Sequence, residues 1–365
     1  MTYRVIFVDD NVDEGYAELL HEDGVLQAEP RGLSALTELA AQIFGPETNA
    51  IALDYRLDEN LGDLSPEQAF KASALAQQIR DLAIERPEHD AAIVLISAEE
   101  KIMSIFAPDK TAHDLFDRVY TKEEINKDVD RVKAEILDLC SAYEVLRPQS
   151  GKFELQALMS ADERDSEALD IQALRIDLND AKAPHIATRL ILKNVVLNSG
   201  LLLDQADVFA RLGISLENEN AILSQLNDDE LAYTGLFSTA WPRWWGHRLE
   251  QWTRDIFAAR ASGLTASDRA KCLNERFGLD LAPAKSPWTG NDDALIAVSC
   301  ACCKRGTEQI HSVALFAPKL PKYLNRPRIC WDCIATDKVE SSEGKFVLSD
   351  TDLDLFKEIK IMERS

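Results

Sequence analysis

The 365-residue sequence predicts an α/β chain with a doubly wound, five-stranded parallel sheet at its amino end, then a mainly helical segment and a small cysteine-rich domain. Short apolar runs alternate with amphipathic stretches from residue 3 to about residue 140. The pattern turns helical from about Pro184, and two C-x₂-C pairs follow near the carboxyl end. The expected regions are the α/β domain at 1–145, a linker at 146–183, a helical domain at 184–290, and the cysteine-rich domain with a final helix at 291–365.

Charge and hydropathy narrow the class of protein. The net charge is -23, and residues 1–145 carry 13 Lys and Arg against 31 Asp and Glu. Such an acidic domain repels nucleic acid and attracts cations or basic partners, although solubility alone explains the acidity equally well. No stretch of 18 uncharged apolar residues occurs, and the first apolar run has four residues. We therefore expect no secretion signal, no membrane contact and a cytoplasmic location.

The first strand ends in a pair of carboxylates. Residues 5–8 are all apolar, as in a strand buried on both faces, and Asp9 and Asp10 follow them. Adjacent carboxylates repel each other unless a cation or a proton relieves them. Because oxygen-only ligands suit Mg²⁺, this pair is a candidate magnesium site.

Three later strands also end in polar residues. Asp54 follows the apolar run 50–53, Ser97 follows the run 91–96, and Lys122 follows Arg118–Thr121. The carboxyl ends of parallel strands meet at one edge of a sheet, so these side chains should converge with the acid pair. The alternative is that the aspartates begin loops and that the lysine is solvated.

This order of residues resembles the receiver domain of two-component response regulators over about the first 140 residues. The resemblance implies that Asp9, Asp10 and Asp54 hold Mg²⁺. It also implies that Asp54 accepts a phosphoryl group from a partner histidine kinase, and that Ser97 and Lys122 contact the phosphoryl oxygens. Such chemistry asks mainly for positioning and neutralisation of charge, which Mg²⁺ and an ammonium group supply.

Some positions depart from the family's pattern. Glu123 stands where a proline usually follows the lysine, and Val119 stands at the usual switch aromatic, with Tyr120 beside it. Arg56 and Glu99 lie two residues beyond the acceptor and the hydroxyl. As a bidentate pair they would obstruct the attacking water and slow self-dephosphorylation, whereas as solvated side chains they would do little.

Helices are expected between and after these strands. In the α/β domain they should span 13–20, 33–44, 68–85, 101–116 and 123–143. Ser65 and Gln68 have the spacing of a capping box at the start of the third helix. The last helix of the chain is expected at 350–362, packed through Leu353, Phe356 and Ile359.

The helical segment contains a run of tryptophans. Trp241, Trp245, Leu249, Trp252 and Ile256 have the spacing of one helical face. They could form a stacking platform for bases or a ligand pocket. The spacing of an apolar stripe favours the other interpretation, a seam of the core.

Isolated histidines and cysteines in the chain give little sign of catalysis. His185 and His247 have no acid or nucleophile at a recognisable spacing, and Cys140 and Cys272 fit simple buried residues. Absence of a motif is weak evidence, since enzyme families use many local signatures. An enzyme within the helical segment therefore stays open as an alternative.

Four cysteines form two C-x₂-C pairs, Cys300 with Cys303 and Cys330 with Cys333, separated by 26 residues. In a cytosolic chain this pattern favours a structural Zn²⁺ held by four thiolates, and it resembles a zinc ribbon. Cys302 is left over or replaces a neighbour as ligand. The alternative is a set of free thiols or a redox pair. A stable disulfide is disfavoured in the cytosol.

The stretch 304–328 between these pairs is basic. It could contact nucleic acid or an acidic partner, face solvent, or pair with the acidic domain of the same chain. Glu308 is its only acidic residue. Its cations are Lys304, Arg305, Lys319, Lys322, Arg326 and Arg328.

These observations predict a phosphorelay signalling protein, phosphorylated on Asp54 by a histidine kinase, with the zinc-containing part as a protein-interaction output. Its architecture is similar to receiver proteins of bacterial phosphorelays linked to phage defence. There it would act as a phosphate sink or regulator beside a second receiver protein that carries an effector. The alternatives are a transcription regulator that binds DNA through the basic stretch, and a receiver-controlled enzyme. Nucleic acid is not the favoured partner, and a homodimer is compatible with the sequence.

Overall fold

A computed structural model gives the architecture of the chain. The chain divides into two compact units. The first comprises Met1–Asn194 and Thr234–Trp241, and the second comprises Val195–Tyr233 and Pro242–Ser365. Among the described helices, none is both long and apolar enough to cross a membrane. The structure describes residues 2–11, 15–60, 62, 64–98, 114–316, 320–339, 346 and 352–361.

The first unit is built on a parallel five-stranded sheet in the order β2-β1-β3-β4-β5, which confirms the predicted α/β fold. The interior strands β3 and β4 are buried along their whole length, as their unbroken apolar sequences predict. Strand β2 lies at an edge, where its Pro30 is tolerated. The strands are β1 Tyr3–Val8, β2 Leu26–Arg31, β3 Ala50–Asp54, β4 Ala92–Ser97 and β5 Arg118–Thr121.

Helices α1 to α5 connect and follow these strands. They are α1 Tyr16–Leu20, α2 Leu36–Ile43, α3 Ala72–Glu85, α4 Lys122–Lys127 and α5 Val129–Leu146. Helix α3 begins four residues later than predicted, because Ser65 and Gln68 form their capping box on a separate one-turn helix, Pro66–Gln68. Buried Leu75 and Ile79 of α3 then join the core of the sheet.

The helix predicted at 123–143 is interrupted at Asp128, which separates α4 from α5. Its carboxylate accepts a hydrogen bond from the Arg131 amide and so caps α5. Most of the helix predicted at 101–116 lies outside the described residues, as do residues 12–14 of the first predicted helix.

Residues 146–194, expected as linker and as the start of the helical domain, belong to the first unit. Here α6 Leu155–Leu158, α7 Gln172–Asp180 and α8 Pro184–Thr188 lead into a π-helix, Arg189–Val196. A hydrogen bond to a buried carboxylate anchors α8, because the His185 ring nitrogen Nδ1 lies 2.8 Å from Asp90 Oδ2.

The second unit is helical with small antiparallel ribbons. Its helices are α9 Gln205–Leu212, α10 Glu219–Asp228, α11 Gly246–Phe257, α12 Ala266–Phe277, α13 Trp331–Ala335 and α14 Leu353–Ile361. The strands pair as β6 with β7, β8 with β9 and β10 with β11. They are β6 Leu202–Leu203, β7 Trp244–Trp245, β8 Ile296–Ser299, β9 Gly306–Glu308, β10 Ser312–Ala314 and β11 Arg328–Cys330.

The tryptophan run forms core, but not as one helical face. Trp244 and Trp245 are 4% and 1% exposed and lie on β7, before α11 begins at Gly246. Trp241 is buried too, but it belongs to the first unit. Within α11, Trp252 stacks on Phe277 with ring centroids 5.5 Å apart.

In the carboxyl-terminal helix, the predicted packing holds in part. Ile359 is fully buried in the core cluster that contains the four paired cysteines, and Phe356 packs against the same cluster. Leu353, at the start of the helix, is 39% exposed.

Candidate functional site

Strand register brings the polar residues of the sheet to one edge. Val8 is aligned with Leu53, so Asp9 emerges beside the end of β3, where Asp54 stands. Asp54 is aligned with Ile96, the residue before Ser97, and Ser97 is aligned with Thr121, the residue before Lys122. The spacing of strand ends along the sequence thus becomes proximity across the sheet.

At the centre of this strand-end cluster an ammonium group meets a carboxylate. Lys122 Nζ lies 3.2 Å from Asp54 Oδ1. The other oxygen of Asp54 accepts a hydrogen bond of 2.8 Å from the Arg56 amide. Lys122 also lies over the Tyr16 ring, 5.0 Å from its centroid. It is the first residue of α4, whose start is fixed by a capping box between Thr121 and Glu124.

Local backbone amides orient the acid pair. Asp9 Oδ1 accepts a 2.9 Å hydrogen bond from the Asn11 amide, and Asp10 Oδ2 accepts one of 2.6 Å from the Asn60 amide. The second contact ties the end of β1 to the loop after β3. A hydrogen bond between a side chain and the backbone therefore joins the loop after β1 to the loop after β3.

Burial makes this cluster costly without a ligand. Asp9, Asp54 and Ser97 are only 2%, 4% and 0% exposed. Ser97 Oγ is buried and has no hydrogen-bond partner among the described residues. A buried hydroxyl left without a partner costs about 1–3 kcal/mol, and buried carboxylates require compensating cations. The site therefore has the polar character of one that binds a charged group.

Arg56 and Tyr120, two positions near the predicted site, have specific partners in the structure. Arg56 pairs with Asp58 at 2.8 Å and with Glu59 at 3.4 Å, while Glu99 lies outside the described residues. The Tyr120 hydroxyl donates a 2.9 Å hydrogen bond to Glu135 Oε2. Burial, followed by the nearby Glu135 carboxylate, raises the pKa of Tyr120 well above its usual value.

The four cysteines of the two C-x₂-C pairs converge in the second unit, which supports the predicted metal ligands. Their sulfur atoms all lie within 4.8 Å of one another. Cys300 Sγ is 3.9 Å from Cys333 Sγ, and Cys303 Sγ is 3.8 Å from Cys330 Sγ. Cys300 directly follows the ribbon strand β8 and Cys330 ends β11, while Cys333 lies in the first turn of α13.

These separations fit a tetrahedral metal site. Four thiolates at the usual Zn–S distance of about 2.3 Å lie about 3.8 Å from one another. Cys330 also directs its backbone N–H to Cys300 Sγ at 3.2 Å, a common support for a metal-binding thiolate. The cysteine cluster could therefore hold a metal ion such as zinc.

The remaining cysteines have other surroundings. Cys302 is outside the group of four and contacts the Lys338 carbonyl oxygen at 3.9 Å. Cys140 is fully buried in the first unit, and burial raises the pKa of its thiol, as expected for an inert core residue. Cys272 is only partly buried, on α12.

Cations of the basic stretch do not form a uniform surface. Arg305 pairs with Asp332 at 2.7 Å, and Arg328 donates to Ser312 Oγ at 2.7 Å. Both are thus used within the unit, whereas Lys319 lies outside the described residues. Lys304, Arg326 and Arg328 line a cleft, which the sequence pattern did not reveal.

Comparisons with known proteins identify no family. No family model matches the chain, and no curated protein is detectably similar to it.

Proposed function

We propose that the first unit is a phosphoacceptor of the receiver type, with Asp54 as the residue that is phosphorylated. The observation that carries this proposal is the Lys122 ammonium 3.2 Å from Asp54 Oδ1. Asp9 and the orphaned Ser97 hydroxyl stand at the neighbouring strand ends. A carboxylate attacks phosphorus well only where the charge of the phosphoryl oxygens is neutralised, and Lys122 and Ser97 would contact those oxygens.

The carboxylates of Asp9, Asp10 and Asp54 would hold Mg²⁺ in this proposal. The donor set fits, because Mg²⁺ takes carboxylate oxygens together with waters and phosphate oxygens. When bound, the ion would offset the negative charge that gathers at the acidic edge. Lys122 would then hold the phosphoryl oxygens on the other side of Asp54, and the Arg56 amide would orient the acceptor carboxylate.

A labelling experiment tests the acceptor. Wild type and Asp54→Asn are incubated with a small phosphodonor, with and without Mg²⁺, and the mass of the intact protein is measured. We expect one added phosphoryl group on wild type only when Mg²⁺ is present, and none on Asp54→Asn. Asp58→Asn, which changes a neighbouring aspartate that pairs with Arg56, is the matched control and should label normally. Label that persists on Asp54→Asn would refute the assignment.

We propose further that a histidine kinase supplies the phosphoryl group and that the second unit, with Zn²⁺ in its cysteine cluster, is an interaction output. The metal would have a structural role, since four cysteine ligands leave no open position. In this proposal the protein acts as a phosphate sink or regulator beside a receiver protein that carries an effector, as in antiviral phosphorelays. Phosphotransfer from a co-encoded kinase to Asp54, and onward competition with a second receiver, would test it.

A further inference from the structure

A polar cleft of about 650 Å³ lies within the second unit, apart from the cysteine cluster that gives this unit its metal ligands. One face of α9 contributes Asp204, its N-cap, together with Asp207 and Arg211, at a spacing that places the three side chains on one side of the helix. The basic stretch contributes Lys304 and Arg326. The size is that of a pocket for a small organic molecule.

Three cations of this cleft form no ion pair within 4.0 Å in the described part of the chain. Arg211 stands four residues after Asp207, a spacing that permits an ion pair, yet no carboxylate lies within 4.0 Å of it among the described residues. Lys304 and Arg326 likewise make no ion pair within the described part of the chain. Burial lowers the pKa of Arg211, and the charges of the Asp207 and Glu250 carboxylates only partly oppose this.

Two neighbouring arginines of the basic stretch have partners within the second unit. Arg305 is neutralised by Asp332 at 2.7 Å, and Arg328 is satisfied by Ser312 and the Gln309 carbonyl. Arg328 lines the cleft as well, but its guanidinium is satisfied within the unit. Arg211, Lys304 and Arg326 form no ion pair with the described residues, so they are available to an external anion.

Acidic and aromatic groups complete the cleft. Asp207 Oδ1 accepts a 2.6 Å hydrogen bond from Ser299 Oγ, and Asp204 lies one turn before it. Carboxylates so placed are acceptors for hydroxyl groups of a ligand. Phe346 also lines the cleft and offers an apolar ring.

We propose that this cleft binds a mononucleotide. Its phosphates would contact Arg211, Lys304 and Arg326, its ribose hydroxyls would donate to Asp204 and Asp207, and its base would lie against Phe346. The two carboxylates would repel a purely anionic ligand. An uncharged ligand would leave the three cations without a counter-charge. This proposal does not depend on phosphorylation of the first unit.

Calorimetric titration of the full-length, metal-loaded protein tests the proposal, with ATP, adenosine and inorganic pyrophosphate as probes. We expect ATP to bind more tightly than either fragment, because only ATP satisfies both the cations and the carboxylates. Arg326→Ala and Lys304→Asn should each weaken ATP binding at least tenfold, about 1.4 kcal/mol. Asparagine is chosen because Lys304 has a φ of 63°, a left-handed conformation that asparagine tolerates.

Lys322→Ala is the matched control, since Lys322 is an exposed cation of the same basic stretch that does not line the cleft. It should bind ATP like wild type, and an unchanged melting temperature in each variant excludes misfolding. The proposal would be overturned if ATP did not bind at about 1 mM or if all three variants bound ATP equally. It would also be overturned if pyrophosphate bound as tightly as ATP. A single-stranded oligonucleotide that binds more tightly than ATP would also overturn it and assign the cleft to nucleic acid.

Discussion

Lys122 and Asp54 meet at 3.2 Å although 68 positions separate them in the chain. Two features of the fold produce this contact. The parallel alignment of β3, β4 and β5 brings their carboxyl ends together, and the capping box of α4 fixes the residue that follows β5. The pair is thus set by the backbone, so its lysine can be changed without disturbing the sheet.

Replacing Lys122 gives the first prediction. If Lys122 contacts the phosphoryl oxygens, Lys122→Ala should slow phosphorylation of Asp54 by a small phosphodonor at least tenfold, which corresponds to about 1.4 kcal/mol in the barrier. The rate is followed by intact-protein mass. Lys127→Ala, at an exposed position of the same helix, should leave the rate unchanged. Equal rates in the two variants would remove Lys122 from the proposed chemistry.

Substitution of the cysteines gives the second prediction. Purified protein should carry about one Zn²⁺ per chain, and Cys330→Ser should lose it, because one thiolate fewer leaves an incomplete tetrahedron. Metal content by elemental analysis, together with thermal unfolding of the second unit, checks this. Cys302→Ser, which changes a neighbouring cysteine outside the group of four, should keep the metal. Loss of zinc from Cys302→Ser but not from Cys330→Ser would reverse the assignment.

How far the sequence predicts this molecule depends on the range of the interactions. Strand ends and C-x₂-C pairs are local signals, so they indicated the sheet and the group of four cysteines that could hold a metal ion. Strand β2 has the sequence LQAEPR and lies at an edge of the sheet, where a proline is tolerated. It therefore lacks the continuous apolar run that marks the interior strands. The return of Thr234–Trp241 to the first unit, and the assembly of Arg211 with Arg326, depend on contacts between distant segments that leave no periodic pattern.

A buried arginine in the first unit gives the third prediction. The Arg80 guanidinium lies between Asp90 and Asp117, 2.9 Å from each, and all three side chains are almost wholly buried. Arg80→Leu would leave two buried carboxylates without their cation, so the free energy of unfolding should fall by about 3–5 kcal/mol.

Urea unfolding measures this loss. Arg175→Leu is a suitable comparison, because Arg175 forms a 3.4 Å pair with Asp170 at the surface, where both side chains are largely exposed. Its effect should stay below about 1 kcal/mol. Comparable losses in the two variants would mean that the buried network contributes no more than a surface pair.

The fourth prediction concerns the dependence of stability on pH at Asp138. This carboxylate lies on α5 and accepts a 2.7 Å hydrogen bond from the Ala240 amide. Burial raises its pKa above the ordinary value, and hydrogen bonds from the Ala240 and Thr239 amides only partly oppose this. A carboxyl with a raised pKa in the folded state contributes stability below its unfolded pKa of about 3.9, and this contribution is lost as the pH rises through the folded value.

Asp138→Asn removes this titration, because an amide can accept the same hydrogen bond but cannot ionise. As the pH rises from about 4 to about 7, the free energy of unfolding of the variant should therefore increase relative to that of wild type. Urea unfolding of both proteins at the two pH values gives the difference directly. An advantage of Asp138→Asn that shrinks as the pH rises would contradict the raised pKa, and would mean that the two amides hold the ionised carboxylate more strongly than burial opposes it.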